Sequence, residues 1–338
     1  MFIEHLIADE FGTHIGKYSK RLRITRGGKN LVEAPIMHLR SVMVLSKGVS
    51  ISADALASCS ENGIPVHYID ETGRAYAMLY TAGLTGTILT RREQLYAYTD
   101  ARAIHFAIAL TEAKLLNQAA TLKYLVKNRK SDEVYSQLNE IAMDIENSTN
   151  ALRRLSGEHI DNLRAEINGI EGAAARHYWA GIRQILPEQY GWSERIGRGA
   201  TDPVNSLLNY GYGILYSKVE QSILLAGLDP YAGFLHVDRA GRPSLVLDLI
   251  EVFRQVAVDR VVFGLCNRNF VIEQDDAGHL SKETRRAVAE HVLERLESNV
   301  RHDNKRLPIR FVLQQQARHL ASFLRRDCEA FIPFKAGW

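Results

Sequence analysis

The chain has 338 residues, of which 46% are hydrophobic and 24% are charged, and its formal net charge at pH 7 is +3. This is the composition of a folded chain of about two domains, which excludes intrinsic disorder, and so small a net charge indicates no particular partner. The three cysteines are far apart and form no CxxC pair. Because there is also no secretory signal pattern and no apolar run near ~18 residues, we expect a cytoplasmic protein without membrane association.

The first ninety residues carry the period-two pattern of β-strands. Leu22 and Ile24 alternate with arginines, and turn residues at 26–29 predict a hairpin to a second strand over 31–36. The other elements predicted here are a helix over 53–60 capped by Ser52, and strands over 64–69 and 75–80. This pattern predicts a β-rich N-terminal domain over residues 1–90.

From about residue 98 the apolar period changes to that of helices. Thr99 or Asp100 is placed to cap a long helix to about residue 128, and most of the remaining chain is predicted as helices broken by loops. The predicted loops cover residues 187–203, 227–243 and 275–278. We therefore predict an α+β protein, with a larger, mainly α-helical C-terminal domain over residues 98–338 and a boundary near 82–98.

Three places concentrate side chains that can bind a hard cation. Glu171 lies between glycines in the segment 169–172, where it is predicted to open a helix, and His236 ends an apolar stretch. Asp248 and Glu251 are three residues apart in a predicted helix, so they share a face amid apolar neighbours. Two carboxylates in such surroundings require a partner, which is either a divalent cation or an arginine, Arg254 or Arg260.

Carboxylate oxygens with a single imidazole suit Mg²⁺ or Mn²⁺ better than zinc. Such a cation accepts phosphate oxygens, so the pattern favours phosphoryl chemistry. The residues alone leave a second interpretation open, in which the histidine is a hydrogen-bonded core residue and the acidic pair lies on a solvated helix face.

Basic and aromatic residues supply candidate DNA contacts. Basic residues cluster at 17–29 and from 301 to 335, where they could bind a phosphate backbone or merely provide solubility. The candidate DNA contacts are Lys20, Arg21, Arg23, Arg195, Arg198 and Arg254. Of these, Arg195 and Arg198 are predicted to lie in a mobile basic loop that orders on DNA. Tyr212 and Tyr216 share a helical face that could reach the cation, stack on a base or pack in the core.

Four motifs occur in the order that is typical of one family. They are GIEG at 169–172, DPVNSLLNYGY at 202–212, GLDPYAGFLH at 227–236 and SLVLDLIEVFR at 244–254. Together they resemble the CRISPR-associated integrase and endonuclease family of the spacer-acquisition module, the Cas1 proteins. Segments 51–56 and 63–67 are similar to the N-terminal β domain of the family, so the resemblance spans nearly the whole chain.

The resemblance implies one metal site in a helical catalytic domain. The implied ligands of Mg²⁺ or Mn²⁺ are Glu171, His236 and Glu251, with Asp248 as a supporting catalytic acid and Tyr216 near the active site. Val252 and Gln255 stand where the family commonly has prolines, which changes the local backbone and removes no ligand.

The resemblance also implies a function in CRISPR antiviral defence. The protein would be a metal-dependent DNA integrase that joins short DNA fragments to a CRISPR repeat through a 3′-hydroxyl, with endonuclease activity at the same site. Its implied partners are double-stranded DNA, a second copy of the chain in a homodimer formed through the β domain, and the small Cas2 protein. The alternatives are a stand-alone metal-dependent nuclease for branched DNA in repair and a non-catalytic DNA-binding scaffold.

Overall fold

The computed structural model describes residues 3–79, 87–127, 133–197 and 199–337. The strands are β1 (His5–Ala8), β2 (His14–Tyr18), β3 (Arg21–Arg26), β4 (Lys29–Pro35), β5 (Ser41–Val44), β6 (Ser50–Ile51), β7 (Val66–Ile69), β8 (Ala75–Leu79), β9 (Asn299–His302) and β10 (Lys305–Pro308). The α-helices are α1 (Ala53–Glu61), α2 (Thr87–Ala97), α3 (Ala101–Val126), α4 (Glu133–Arg153), α5 (Ile160–Ile185), α6 (Pro203–Leu225), α7 (Ser244–Ile250), α8 (Arg260–Cys266), α9 (Lys282–Glu297) and α10 (Ile309–Leu324).

The N-terminal strands form two sheets in the described part of the chain. One has the order β4-β3-β2-β6, and the other has the order β1-β5-β7-β8, in which β8 alone is antiparallel to its neighbour. The predicted hairpin is confirmed, since Arg26 of β3 pairs with Lys29 of β4. The predicted helix cap is also confirmed, because the Ser52 side chain accepts a hydrogen bond from the Ala55 amide.

The sheet β1-β5-β7-β8 lies between two apolar clusters. Every residue of β5 is buried, and because successive strand side chains point to opposite faces, the two faces meet different partners. Val42 and Val44 belong to the cluster of the N-terminal region, whereas Met43 packs into the larger cluster of the helices. The predicted α+β class is confirmed, and the N-terminal sheet is anchored directly on the helical core.

The helical region differs from the prediction in three places. Helix α2 occupies the expected boundary region, so the division of the chain near residue 90 stays a prediction. Glu171 was expected to open a helix, but it lies inside α5. A glycine in a helix costs about 1 kcal/mol, and α5 continues through both glycines because Ile167 and Ala174 on either side of them are buried. A hairpin of β9 and β10 replaces predicted helix, and its turn residues Asp303 and Asn304 have φ angles of +47° and +60°.

In the described ranges, no helix has both the length and the apolar character to cross a bilayer.

A contact between two glycines joins the N-terminal region to helix α6. Gly73 lies in the turn between β7 and β8 with a φ angle of +84°. A Cβ atom on Gly213 would lie 1.4 Å from the carbonyl oxygen of Gly73. A Cβ atom on Gly73 would in turn lie 2.4 Å from the Cα atom of Tyr210. The turn therefore rests on the backbone of α6, which only glycine at both positions permits.

We expect Gly213→Ala to destabilise the protein by about 3 kcal/mol, because the added methyl group forces the turn away from α6. The free energy of unfolding in urea measures this loss. Gly169→Ala is the matched control, since Gly169 is helical with no heavy atom near its Cβ position, and we expect a gain of about 0.5 kcal/mol there. Equal urea midpoints for the two variants would contradict the proposed contact.

Candidate metal centre

Two of the predicted ligands meet on a lysine that the sequence analysis did not identify. The Nζ atom of Lys114, on α3, pairs with the carboxylate of Glu171 on α5 and lies 2.5 Å from the Oε2 atom of Glu251, just beyond α7. The Lys114 side chain is 11% exposed, that of Glu251 is 7% exposed and that of Glu171 is 21% exposed. One ammonium group thus holds together two carboxylates from different elements in a largely buried position.

The charges of this cluster shift the protonation of its members. Burial alone would raise the pKa of Glu251, but Arg254 and Lys114 outweigh it and lower the pKa to about 2. Burial would lower the pKa of Lys114, but the charges of Glu251 and Glu171 raise it above its ordinary value. Arg254 Nη1 lies 2.9 Å from Glu251 Oε1. At neutral pH Glu251 and Lys114 are therefore both ionised.

Asp248 fixes the loop that carries the predicted histidine. Its buried carboxylate accepts hydrogen bonds from the amides of Phe234, Leu235 and His236 at 2.7, 3.1 and 2.8 Å. A second contact of 2.7 Å joins Asp248 Oδ1 to His236 Nδ1. With Nδ1 held by a carboxylate, the Nε2 atom of His236 is the ring nitrogen left to bind a ligand. Asp248 therefore acts as a supporting residue for the histidine in this arrangement.

The three predicted ligands do not form a single coordination sphere as they stand. Glu171 and Glu251 meet on Lys114, while His236 is directed by Asp248. In the described residues, the three-residue group whose ligand atoms all lie within 4.8 Å of one another is Glu4, His5 and Glu297. That group already has cationic neighbours, since Arg40 pairs with Glu4 and Glu297, and Arg310 pairs with Glu297.

The predicted ligands nevertheless suit a hard divalent cation. Their carboxylates already surround a positive charge, and the buried Oε2 atom of Glu251 has the ammonium group of Lys114 as its partner. Two carboxylates and an imidazole with a free Nε2 atom form the donor set of a Mg²⁺ or Mn²⁺ site.

A second buried carboxylate, that of Asp259, positions Arg254 through a tyrosine. Asp259 closes the π-helical turn Gln255–Asp259 and accepts hydrogen bonds from the hydroxyl groups of Tyr178, at 2.7 Å, and Tyr212. Burial raises the pKa of Asp259. The guanidinium of Arg254 lies 4.8 Å from the centre of the Tyr212 ring. Asp259 thus orients the tyrosine on which the arginine partner of Glu251 stacks.

A cavity of about 1370 Å³ adjoins the cluster at Arg254. Tyr212 and Tyr216 both line it, so the predicted shared face of these tyrosines is confirmed. Burial raises the pKa of Tyr216. The cavity is lined by one aspartate, one glutamate and five arginines. The arginines are Arg74, Arg91, Arg239, Arg242 and Arg254. Most of the basic wall was not identified from the sequence, because its members are scattered along the chain.

The predicted DNA contacts are in different environments. Lys20 is exposed, with no ion-pair partner in the described residues. Arg21 and Arg23 pair with Glu33 across the hairpin, at 3.4 and 2.7 Å, so the stretch is less basic than its own sequence indicated. The remaining three predicted contacts are Arg195, Arg198 and Arg254. Of these, Arg254 is paired with Glu251.

Arg195 was expected in a mobile basic loop, but its guanidinium is bound to α6. It donates hydrogen bonds to Asn205 Oδ1 at 3.0 Å and to Asn209 Oδ1 at 2.6 Å, and it lies 5.3 Å from the centre of the Tyr212 ring. Local sequence could not indicate these partners, because they lie on the next helix. Arg198 lies outside the described residues.

Comparisons with known proteins agree on one family. The sequence model described as CRISPR associated protein Cas1 matches residues 6–294. A CRISPR-associated endonuclease Cas1 of Archaeoglobus fulgidus is 38% identical, over 97% of this chain and 99% of that protein.

Solved structures share the fold. A casposase bound to its integration product has a TM-score of 0.84 and 22% identity, covering 99% of this chain and 95% of that one. A chain of a Cas6-RT-Cas1–Cas2 complex has a TM-score of 0.77 and 23% identity, covering 99% of this chain and 36% of that chain.

We expect the stabilising effect of Glu251 to depend on pH. Its folded pKa of about 2 lies below the ordinary 4.5, so the contribution is fully present above about pH 4.5 and is lost as the pH falls towards 2. Urea unfolding of the wild type and Glu251→Gln should show a stability difference that shrinks between pH 6 and pH 3. Glu166→Gln, which removes an exposed carboxylate of α5, is the control. A difference that stays constant over this range would contradict the ion pairing of Glu251.

Proposed function

The chain belongs to the Cas1 family of CRISPR-associated proteins, and on that premise we propose that it is a metal-dependent DNA integrase that inserts short DNA fragments into a CRISPR array. The same site would cleave DNA as an endonuclease, the activity named for the Archaeoglobus fulgidus relative. The observation that carries the proposal is the convergence of Glu171 and Glu251 on one cationic position. Asp248 holds the imidazole of His236, which would be the third ligand.

Glu171, His236 and Glu251 would hold Mg²⁺ or Mn²⁺. When bound, the cation supplies polarisation of a phosphodiester and charge compensation for the leaving oxygen. Asp248 keeps the Nε2 atom of His236 free to bind by occupying Nδ1. Arg254 pairs with Glu251 and also lines the cavity, where its guanidinium would contact a phosphate oxygen.

The proposed reaction exchanges one phosphodiester for another. The 3′-hydroxyl of the fragment attacks a phosphodiester at the edge of a repeat, so a bond forms between the fragment oxygen and phosphorus. The bond from phosphorus to the repeat 3′-oxygen breaks, and that oxygen takes up the proton released by the attacking hydroxyl. One phosphodiester is broken for each one made, so the reaction requires no nucleotide cofactor.

The basic cavity is the proposed approach for DNA. Arg239 and Arg242 lie on the loop between His236 and α7, and Arg74 reaches the same cavity from the turn that rests on α6. Guanidinium groups bind phosphate oxygens in bidentate geometry. Tyr216 offers a ring for stacking on a base near the strand end.

Integration at both ends of a repeat requires two active sites. We therefore propose a homodimer formed through the β-rich N-terminal region and bridged by Cas2, a protein that also occurs in the name of one complex of the same fold. The proposed DNA partners are the incoming fragment and the repeat. A lone nuclease for branched DNA would need neither Cas2 nor a repeat.

We expect Glu171→Gln and His236→Ala to lower DNA joining by about a hundredfold or more, because each removes a proposed ligand. The assay combines a supercoiled plasmid carrying a CRISPR array, a labelled duplex and Mn²⁺, with and without the cognate Cas2 protein. Filter binding of the same duplex should change by less than about twofold, since phosphate contacts elsewhere remain. Glu166→Gln on the same helix is the matched control.

Each alternative predicts a different result in this assay. Joining at the wild-type rate in both variants would exclude the proposed metal site. Cleavage without joining, with Cas2 present, would support the nuclease for branched DNA. Duplex binding by the wild type without cleavage or joining would support the scaffold.

We expect the double variant Arg239→Ala/Arg242→Ala to bind DNA more weakly at every sequence, because its lost contacts are to phosphates. The slope of log affinity against log salt concentration should decrease by about 2, or nearly one for each lost phosphate contact. Arg183→Ala, an exposed arginine of α5 outside the cavity, is the control. An unchanged slope in the double variant would place the DNA elsewhere.

A further inference from the structure

Lys114 occupies the position between the two carboxylates that the proposed function assigns to a divalent cation. Its Nζ atom contacts Glu171 and Glu251, and its side chain is nearly buried. An ammonium group and a metal ion cannot share that position, so metal binding requires Lys114 to give up both partners.

The charge around the site makes this exchange costly without DNA. The site holds three carboxylates and two permanent cations. Lys114 pairs with Glu171 and Glu251, and Arg254 pairs with Glu251. The third carboxylate, that of Asp248, contacts His236. A divalent cation added to this set leaves the buried cluster with excess positive charge, and such charge is strongly disfavoured where solvent is largely excluded. The displaced ammonium would also lack a counter-charge.

A DNA phosphate removes both costs. Its single negative charge offsets the net positive charge that the added cation leaves on the cluster, and its oxygens accept hydrogen bonds from an ammonium group. The adjoining cavity is lined by arginines suited to bring a phosphate to this position. Lys114 can therefore exchange two carboxylates for one phosphate when metal and DNA are both bound.

We propose that Lys114 is a built-in competitor of the metal, which keeps the site closed to divalent cations until a DNA phosphate arrives and then pairs with that phosphate. This inference rests on the proposed function, because it assumes that Glu171 and Glu251 are metal ligands. It makes Lys114 a positioning residue that couples metal binding to DNA binding. A purely structural ion pair would hold α3 and α5 together without such coupling.

The test measures Mn²⁺ binding, not activity. The full chain is titrated with Mn²⁺, and free Mn²⁺ is followed by electron paramagnetic resonance, with and without a short duplex that has 3′ overhangs. The wild type should bind Mn²⁺ weakly alone and much more tightly with the duplex. In Lys114→Met, we expect DNA-free affinity to rise by at least about tenfold and the enhancement by DNA to fall by a similar factor.

Two further variants separate charge from packing. Lys114→Arg keeps the positive charge and should retain weak binding of Mn²⁺ in the absence of DNA. Lys123→Met is the matched control. Lys123 is another lysine of α3, and its Nζ atom lies 2.6 Å from Glu146 Oε1 on the protein surface. This variant should bind Mn²⁺ as the wild type does.

The outcomes distinguish this inference from the function on which it rests. If Lys114→Met and the wild type show the same DNA-free affinity, or the same enhancement by DNA, the role of Lys114 is wrong and the metal site stands. If Glu171→Gln binds Mn²⁺ as the wild type does, the metal site itself is wrong. If Lys114→Met folds only when Mn²⁺ is present, the metal replaces the lysine between the two carboxylates, as proposed. If Lys114→Met fails to fold even in saturating Mn²⁺, the proposed role of Lys114 is wrong.

Discussion

The burial of two carboxylates among apolar helices is the constraint on which the rest of the site depends. The Glu251 side chain is 7% exposed, and an unpaired charge at such a position would cost several kcal/mol. Lys114 from α3 and Arg254 from the turn after α7 supply the opposing charges. Because these groups come from separate elements, the charges meet only when α3, α5 and α7 pack in one arrangement. The electrostatic requirement and the apolar core therefore favour the same packing.

The N-terminal region contributes to the functional cavity as well as to the fold. Its sheet buries one face on its own cluster and Met43 on the helical core. The turn beyond β7 reaches α6 and carries Arg74 to the wall that Tyr212 and Arg254 also line. Residues of the N-terminal region and of the helical region therefore both line the basic cavity that is proposed to bind DNA.

Local patterns predicted much of the fold and the chemical groups of the site, but only those partners that are close in sequence. The hairpin at Arg26 and Lys29 and the cap at Ser52 follow from residues close in sequence. Asp248 and Glu251 were identified because carboxylates among apolar residues need a counter-charge, and Arg254, three residues on, was one of the partners considered. Lys114 could not be predicted in this way, since it is 57 residues from Glu171. The pairing of Arg23 with Glu33, unlike that of Lys114, could have been predicted. The two residues are directly opposed on β3 and β4, so the register of the predicted hairpin would have indicated that the charge of Arg23 is neutralised.

The contact of Gly73 with Gly213 joins two backbones without an intervening side chain. Side chains change rotamer and absorb small displacements, whereas a carbonyl group against a helix backbone does not. In a dimer formed through the N-terminal region, the distance between the two cavities would then be transmitted by main-chain geometry. The spacing of the two insertion points on DNA would be a rigid property of the assembly, which substitutions on the protein surface would leave unchanged.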